Sequence, residues 1–291
     1  MTPKRALWLS VAAALATMAL KWGAWAVTDS VAFLSDALES LVNLVGSSFA
    51  LAMVWYARQP PDRGHPYGHG KAEYFSAAFE GALILAAAAG IILAAVERLR
   101  EPIPLSSLDI GVALSVGASV INLVVARVLI RVGRQHRSLA TEADGRHLMT
   151  DVWTTVGVIV GVALAAVTGW YRLDPLVAVA VALNILREGW YLVSRSFMGL
   201  MDAALPEEEI RALESALHGL QTNGARFDKL ITRGAGANRF ARVELHVPAH
   251  WSVERAHALA RAAEDAAAAE GVTLVVQLIP AAPAANQPRD G

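Results

Sequence analysis

The chain contains no cysteine and little charge for its length. Without cysteine, its 291 residues can form no disulfide framework, thiolate metal site, iron–sulfur cluster or cysteine nucleophile. Charged residues make up 18% of the chain, below the about 25% of an ordinary soluble domain. The 25 basic and 26 acidic side chains leave a net charge of −1, which argues against a nucleic-acid partner. Hydrophobic residues, at 55%, dominate instead.

The hydrophobic residues are concentrated in long runs in the first 205 residues. Six runs contain no Asp, Glu, Lys or Arg: 6–20, 40–57, 81–96, 110–126, 152–171 and 175–186. A helix needs about 20 apolar residues to cross the bilayer core. Extended across an occasional charge, the runs predict six membrane spans, near 6–27, 31–57, 73–97, 108–131, 143–168 and 174–195. The alternative, six buried helices of a large soluble core, lacks the polar surface needed to cover them.

Basic residues predict the orientation of these spans. With the N-terminus inside, nine lie in the inner segments, namely Lys4, Arg5, Arg58, Arg63, Lys71, Arg131, Arg134, Arg137 and Arg146. The outer loops hold three, Arg98, Arg100 and Arg172. Because cytoplasmic loops carry the excess of Lys and Arg, both termini are predicted to be cytoplasmic. Without organelle signals, the predicted location is a bacterial inner (plasma) membrane.

The sequence changes character at Leu205-Pro206. A helix is predicted from Pro206 to about Leu220, followed by strands over 229–232 and 239–247. Ser252 is placed to cap an alanine-rich helix, and a last strand covers 272–279. The order αββαβ predicts a small two-layer α+β domain. The predicted domains are therefore a membrane domain over 1–205, a cytoplasmic domain over 206–280 and a disordered tail over 281–291.

Two predicted spans carry polar pairs at helical spacing. Glu39 and Asn43 are four residues apart in the second span, with Asp36 on the same face. His147 and Asp151 are four apart in the fifth span. Ionisable groups inside a membrane are costly, so they are candidates for function. If the two pairs converge, they offer four oxygen and nitrogen ligands to a divalent transition metal.

Structural alternatives exist for each polar group. Glu39 and Asn43 could pack between helices, and His147 could be a satisfied core histidine. Glu80, in the third span, could relay protons, but snorkelling or pairing with a basic residue at a helix end is favoured. Asn122 in the fourth span is predicted to form an interhelical hydrogen bond.

A second candidate cluster lies in the inner loop between the second and third spans. The segment contains Asp62, His65 and His69, separated by glycine and proline residues that permit tight turns. The three side chains could converge on a metal. The alternative is a polar cytoplasmic loop with exposed histidines.

Taken together, these residues resemble the cation diffusion facilitator family. The resemblance covers six helices, the loop Gly64-His65-Pro66-Tyr67-Gly68-His69-Gly70-Lys71-Ala72-Glu73 and the stretch His147-Leu148-Met149-Thr150-Asp151. It extends to Leu200-Met201-Asp202-Ala203-Ala204-Leu205-Pro206 and the αββαβ tail.

The resemblance implies a homodimeric antiporter that exports Zn²⁺ or a similar ion from the cytoplasm against protons. It implies metal ligation by His147 and Asp151, and by Glu39 and Asn43 where the family usually has His or Asp and then Asp. Asp62, His65 and His69 match a second metal site in the loop. Lys71 and Asp202 match a charge pair at the junction of the two domains. The tail resembles a ferredoxin-type, metallochaperone-like domain that dimerises.

Two departures from the family pattern change these expectations. Asn43 brings an amide where a carboxylate is usual, so Fe²⁺, Co²⁺, Ni²⁺ and Mn²⁺ join Zn²⁺ as candidate cargo. Cd²⁺ is a further possible cargo, and Asp36 is a possible replacement ligand. In the tail, Gln277 and Ile279 stand at positions where metal-bridged members carry ligands. Asp228, Glu244 and His257 therefore predict a weak tail site or none, with dimerisation through apolar contact.

The sequence thus predicts a proton-coupled exporter of divalent metal, with a membrane metal sensor or scaffold without transport as the alternative. A channel would share the polar site without proton coupling. An intramembrane metalloenzyme is disfavoured because the chain has no H-E-x-x-H motif and no assignable Ser/His/Asp set. The expected partners are lipid, protons and a second copy of the chain, with no organic cofactor.

Overall fold

The computed structural model describes residues 1–28, 31–100, 110–170, 172–222 and 224–280. Six long helices form its first part: α1 (Pro3–Thr28), α2 (Val31–Ala57), α3 (Ala72–Arg100), α4 (Ile110–Gln135), α5 (Leu139–Thr168) and α6 (Leu173–Leu200). The side chains of 31–39 lie outside the described part, so Asp36 and Glu39 are located only by their positions in α2. The tail predicted over 281–291 also lies outside it.

The helices agree with the predicted spans. Five described segments are long and apolar enough to cross a membrane: Pro3–Gly23, Ser40–Ala57, Ala72–Arg100, Val116–Gln135 and Leu173–Leu200. Helix α5 is not among these five, and charged residues are frequent in its first half. From Val152 to its end, α5 carries no charge. The predicted helical membrane bundle is confirmed.

Helices α1, α2, α4 and α5 share a tightly packed core. Leu7, Val54, Leu129 and Leu148, one from each helix, are buried together in it. The close contact of α4 with α5 depends on a glycine, because a Cβ at Gly145 would lie 2.7 Å from the Cβ of Leu129. Small residues let helix backbones approach closely where no hydrophobic effect drives association in lipid. This packing holds the polar face of α5 against α2.

The chain divides into two compact units, 1–198 and 199–291. The second contains α7 (Glu207–His218), β1 (Arg226–Ala235), β2 (Asn238–Val247), α8 (Val253–Ala269) and β3 (Thr273–Pro280). Strand β1 pairs with β2 antiparallel, and β3 pairs with the other edge of β2 in parallel. A parallel pair needs a crossover connection, which α8 supplies. The predicted αββαβ order is confirmed.

Local signals explain the boundaries of the second unit. The Ser252 hydroxyl accepts a hydrogen bond of 3.2 Å from the Arg255 backbone N–H and so caps α8, as predicted. Strand β1 is longer than predicted, because a bulge between Asp228 and Ile231 interrupts the pattern of its first residues. Lys229, inside this bulge, has a φ of 50°.

The sheet of the second unit has one buried face. Along β2, Ala241, Val243 and Leu245 are buried, whereas the alternate residues Arg242 and Glu244 point to the opposite face. The buried residues pack with the alanine-rich side of α8. This opposite face is the open face of the sheet: it lies away from α8 and carries polar side chains together with exposed apolar ones.

Candidate functional site

Three of the predicted intramembrane ligands meet between α2 and α5. The Asn43 Nδ2 group donates a hydrogen bond of 2.5 Å to Asp151 Oδ2. His147 Nε2 lies 2.8 Å from Asn43 Oδ1. All three side chains are buried. The helices therefore bring an imidazole, a carboxylate and an amide together at one point.

The spacing along each helix explains this convergence. His147 and Asp151 are one turn apart, so both project from the same side of α5. From α4, Asn122 Nδ2 donates a hydrogen bond of 3.3 Å to Asp151 Oδ2, which is the interhelical bond predicted for it. Glu39 precedes Asn43 by one turn of α2, although its side chain lies outside the described part, as does that of Asp36.

Glu80 contradicts the favoured prediction that it snorkels or pairs with a basic residue. Its side chain is fully buried, and its Oε2 lies 3.8 Å from His147 Nδ1. Within the described residues, neither of its carboxylate oxygens accepts a hydrogen bond. The prediction was wrong because the sequence does not show that α3 packs against α5 on the side that carries Glu80.

Sequence reasoning missed a further buried acid, Asp144. Its Oδ1 accepts a hydrogen bond of 2.7 Å from the Ser47 hydroxyl, which lies 3.0 Å from the Ser10 hydroxyl. Asp144 is three residues before His147 and seven before Asp151, so helical spacing could have placed it on the same face. The sequence did not single out Asp144 because it lies among the charged residues at the start of α5.

The loop between α2 and α3 also brings its predicted residues together. Asp62, His65 and His69 offer ligand atoms that all lie within 4.8 Å of one another. The Asp62 carboxylate lies 3.2 Å from His65 Nδ1 and 3.4 Å from His69 Nε2. Gly68, with a φ of 80°, turns the chain between the two histidines. One carboxylate and two imidazoles suit a divalent transition metal.

The loop cluster is ordered by its neighbours. The His65 backbone N–H donates a hydrogen bond of 2.6 Å to Asp62, and this bond lowers the pKa of the Asp62 carboxyl. His69 is buried beside the Tyr56 ring, with ring centroids 4.6 Å apart. Its Nδ1 faces the Gln59 carbonyl oxygen at 3.5 Å, which leaves Nε2 directed to Asp62. The carboxylate is thus held ionised next to two imidazole nitrogens.

The structure does not bring the three tail candidates together within one chain. Asp228 and Glu244 are cross-strand partners, and Glu244 pairs with Lys229 at 3.1 Å. The hydrogen bond from Lys229 lowers the pKa of Glu244. His257 is exposed on α8, which covers the other face of the sheet. In the described part of the chain, the one group of three His, Asp or Glu side chains with ligand atoms this close together is the loop cluster.

The predicted charge pair joins residues of different units. Lys71 belongs to the first unit and Asp202 to the second. Within the second unit, Asp202 Oδ1 accepts a hydrogen bond of 3.1 Å from Arg233 Nη1. The pairing of Lys71 with Asp202 stays a prediction.

The comparisons with known proteins agree with this architecture. A family model of the cation efflux transmembrane domain matches residues 7–201, and one of the cation efflux protein cytoplasmic domain matches 205–270. The chain belongs to the cation efflux family. This confirms the resemblance to cation diffusion facilitators, so the protein is a membrane transporter of divalent metal cations. Its cytoplasmic domain is of the type that dimerises.

Relatives extend over most of the chain. An uncharacterised transporter of Synechocystis is 49% identical, covering 89% of this chain and 84% of its own length. The cation-efflux pump FieF of Klebsiella pneumoniae is 32% identical, covering 90% of this chain and 87% of its own. The pump of the same name from Salmonella arizonae is 29% identical over the same shares.

Proposed function

We propose that this cation efflux protein exports a divalent transition metal from the cytoplasm in exchange for protons. The observation that carries the proposal is the buried contact of Asn43 on α2 with His147 and Asp151 on α5. Polar groups at membrane depth are costly unless they serve a purpose such as an ion pathway. The relatives named cation-efflux pumps support the direction of transport.

The proposed ligands are Asn43, His147 and Asp151, with Glu39 from the preceding turn of α2. Carboxylate, imidazole and amide oxygen are ligands that suit Zn²⁺, Fe²⁺, Co²⁺, Ni²⁺ and Mn²⁺. Zn²⁺ is the first candidate among these metals, and Cd²⁺ is tested beside them. The Asn43–Asp151 hydrogen bond joins two of these groups directly. A metal that binds both must break this bond, so loading changes the arrangement of the site.

Proton exchange follows from the chemistry of these ligands. Histidine must be neutral and carboxylates ionised to bind metal, so loading the site from the cytoplasm releases bound protons. Release of the metal on the opposite side lets protons return to the same groups. Alternating access is then a rocking of helices around a fixed intramembrane site.

The remaining features fit a cytoplasmic loading side. We place both termini in the cytoplasm of a bacterial cell, with the protein in the inner membrane as a homodimer joined through its tail. The Asp62, His65 and His69 cluster then faces the cytoplasm as an accessory metal site. Lys71 and Asp202 form the proposed charge pair between the domains.

Flux into proteoliposomes tests this proposal. The full-length protein is reconstituted with an imposed pH gradient, and uptake of the six candidate metals is compared. His147→Ala and Asp151→Ala should each lower flux by about 100-fold or more, whereas His136→Ala, a histidine just beyond the end of α4, should not. Transport by both site variants at the parent rate would show that the site is misassigned. Metal binding without flux for every ion would favour the sensor or scaffold.

A further inference from the structure

Glu80 is buried without the partners that a buried acid normally needs. It is 0% exposed, and neither carboxylate oxygen has a hydrogen-bond partner among the described residues. Burying a carboxyl group without compensation is expensive. Such a residue is retained in a membrane protein when it contributes to function. Within the described part, its Oε2 lies 3.8 Å from Nδ1 of the His147 ring.

The helix opposite Glu80 provides space for its carboxylate. A Cβ at Gly46 would lie 2.8 Å from Glu80 Oε1, so the carboxylate rests directly against the α2 backbone. Gly46 lies about one turn after Asn43 on α2. The carboxylate of α3 is therefore packed against the same helix that presents Asn43 to the site.

The two nitrogens of His147 face different neighbours. Nε2 is 2.8 Å from Asn43 Oδ1, on the side that also holds Asp151. Nδ1 is 3.8 Å from Glu80 Oε2. A metal that enters between Asn43 and Asp151 meets Nε2, so Glu80 lies behind the ring. Metal-bound histidines commonly donate their second N–H to a carboxylate, which fixes the tautomer and the ring orientation.

We propose that Glu80 is a positioning residue of the transport site, whose carboxylate accepts the His147 Nδ1–H and thereby presents Nε2 to the metal. This inference rests on the proposed transport site. The 3.8 Å separation is longer than a hydrogen bond, and we expect it to shorten when metal binds, since such contacts tighten when a site is filled. Glu80 acts through His147 and does not touch the metal.

Cobalt binding tests this role, because tetrahedral Co²⁺ gives visible absorption bands that report its direct ligands. The full-length protein in lipid nanodiscs carries His65→Ala and His69→Ala so that the loop does not bind Co²⁺. Glu80→Leu should weaken Co²⁺ binding about 10–100-fold, the range typical for loss of such a partner. Glu80→Gln should weaken it much less, because its amide oxygen still accepts the N–H. At saturation, both should keep the parent absorption bands.

A buried acid of the same helix supplies the matched control. Glu73 is also buried in α3, but it accepts a hydrogen bond of 2.6 Å from the Ser138 hydroxyl. Glu73→Gln should leave Co²⁺ affinity unchanged even if the protein becomes less stable. If Glu73→Gln weakened Co²⁺ binding as much as Glu80→Leu does, the effect of Glu80→Leu would be explained by general destabilisation, and the proposal would be overturned.

Two double variants separate positioning from other roles. In a His147→Ala background, Glu80→Leu should have no further effect on affinity, since its action passes through the ring. Gly46→Ala should weaken binding by displacing the carboxylate, but not in a Glu80→Ala background. Full additivity in either pair would overturn the proposal.

The remaining outcomes distinguish this inference from the proposed function. Altered absorption bands in Glu80→Gln would make Glu80 a direct ligand, and parent affinity in Glu80→Leu would remove it from the site; both overturn the inference alone. Parent affinity in Asp151→Ala would instead reject the transport site on which the inference rests.

Discussion

Asn43 donates a hydrogen bond to Asp151 across the contact of α2 with α5. The bond joins two residues 108 positions apart in the chain. The bond fixes the relative position of the two side chains, and the amide nitrogen supplies a hydrogen-bond donor to the buried carboxylate. A carboxylate at position 43 could accept such bonds but not donate one while ionised. The amide therefore affects both this arrangement and the ligand set that the site offers to a metal.

Replacing Asn43 with aspartate should make the protein depend more strongly on metal. Loss of a hydrogen bond to a charged group removes about 1.5–3 kcal/mol, and a second carboxylate beside Asp151 adds repulsion. With metal bound, the new carboxylate becomes an additional anionic ligand. We expect lower thermal stability without metal, a larger rise in stability on adding Zn²⁺, and a changed order of flux rates among the metals.

Asn184→Asp controls for this change, because it introduces the same group in α6 rather than in α2. Thermal unfolding with and without Zn²⁺ and proteoliposome flux are the measurements. An unchanged Zn²⁺ response and an unchanged metal order in Asn43→Asp would remove Asn43 from the site.

The contribution of Asp62 to metal binding at the loop should not change between neutral and mildly acid pH. The pKa of Asp62 is lowered below its ordinary 3.8 by the His65 backbone N–H. Its charge is therefore present above that value and is lost only as the pH falls through the lowered pKa. Asp62→Asn should therefore weaken binding by a similar factor from about pH 7.5 to about pH 5.

Zn²⁺ titration of an Asp151→Ala background isolates this loop site. The Zn²⁺ affinity of Asp151→Ala is compared with that of the Asp62→Asn, Asp151→Ala double variant at each pH. If the two affinities became equal by about pH 5, Asp62 would already be protonated at that pH, which would contradict its lowered pKa. His69→Ala should weaken binding more than His65→Ala, because His69 is buried and held by its neighbours.

Apolar residues on the open face of the tail sheet should support dimerisation. Ile231 and Val275 are 62% and 59% exposed, and each is the register partner of Arg242 in the strand between them. Exposed apolar side chains grouped in this way mark contact surfaces. Val275→Asp should shift the full-length protein from dimer toward monomer at low concentration, as measured by light scattering in detergent.

Val253→Asp is the control for this shift. Val253 is 80% exposed, but it lies in the first turn of α8, on the other side of the sheet. An unchanged dimer in Val275→Asp, or an equal loss in Val253→Asp, would remove the open face from the interface.

A side chain at position 145 should destabilise the packing of α4 against α5. A Cβ there would lie 2.7 Å from Leu129 Cβ and 2.9 Å from the Ile130 backbone nitrogen. Overpacking of this kind costs about 1–3 kcal/mol. Gly145→Ala should therefore lower the unfolding temperature in detergent. Gly90→Ala lies on α3, and its added Cβ meets no atom of the described residues outside its own helix within 4 Å, so this variant should leave the unfolding temperature unchanged or raise it.

In the cytoplasmic domain, some features follow from local sequence and others do not. The cap at Ser252 and the order of helices and strands follow from residues close in sequence, and both agree with the structure. The bulge near Lys229 was not predicted, because it depends on how β1 aligns with β2. The separation of His257 from Glu244 likewise follows from the side of the sheet that α8 covers.

In the membrane domain, the sequence by itself determined the long apolar helices and the spacing of His147 and Asp151. Helical periodicity is local, so residues one turn apart share a face in any packing. The sequence could not determine which faces of different helices meet. Only the tertiary structure placed Asn43 on Asp151 and buried Glu80 behind His147. Such contacts depend on close packing at small residues such as Gly46, a property of two helices together and of neither alone.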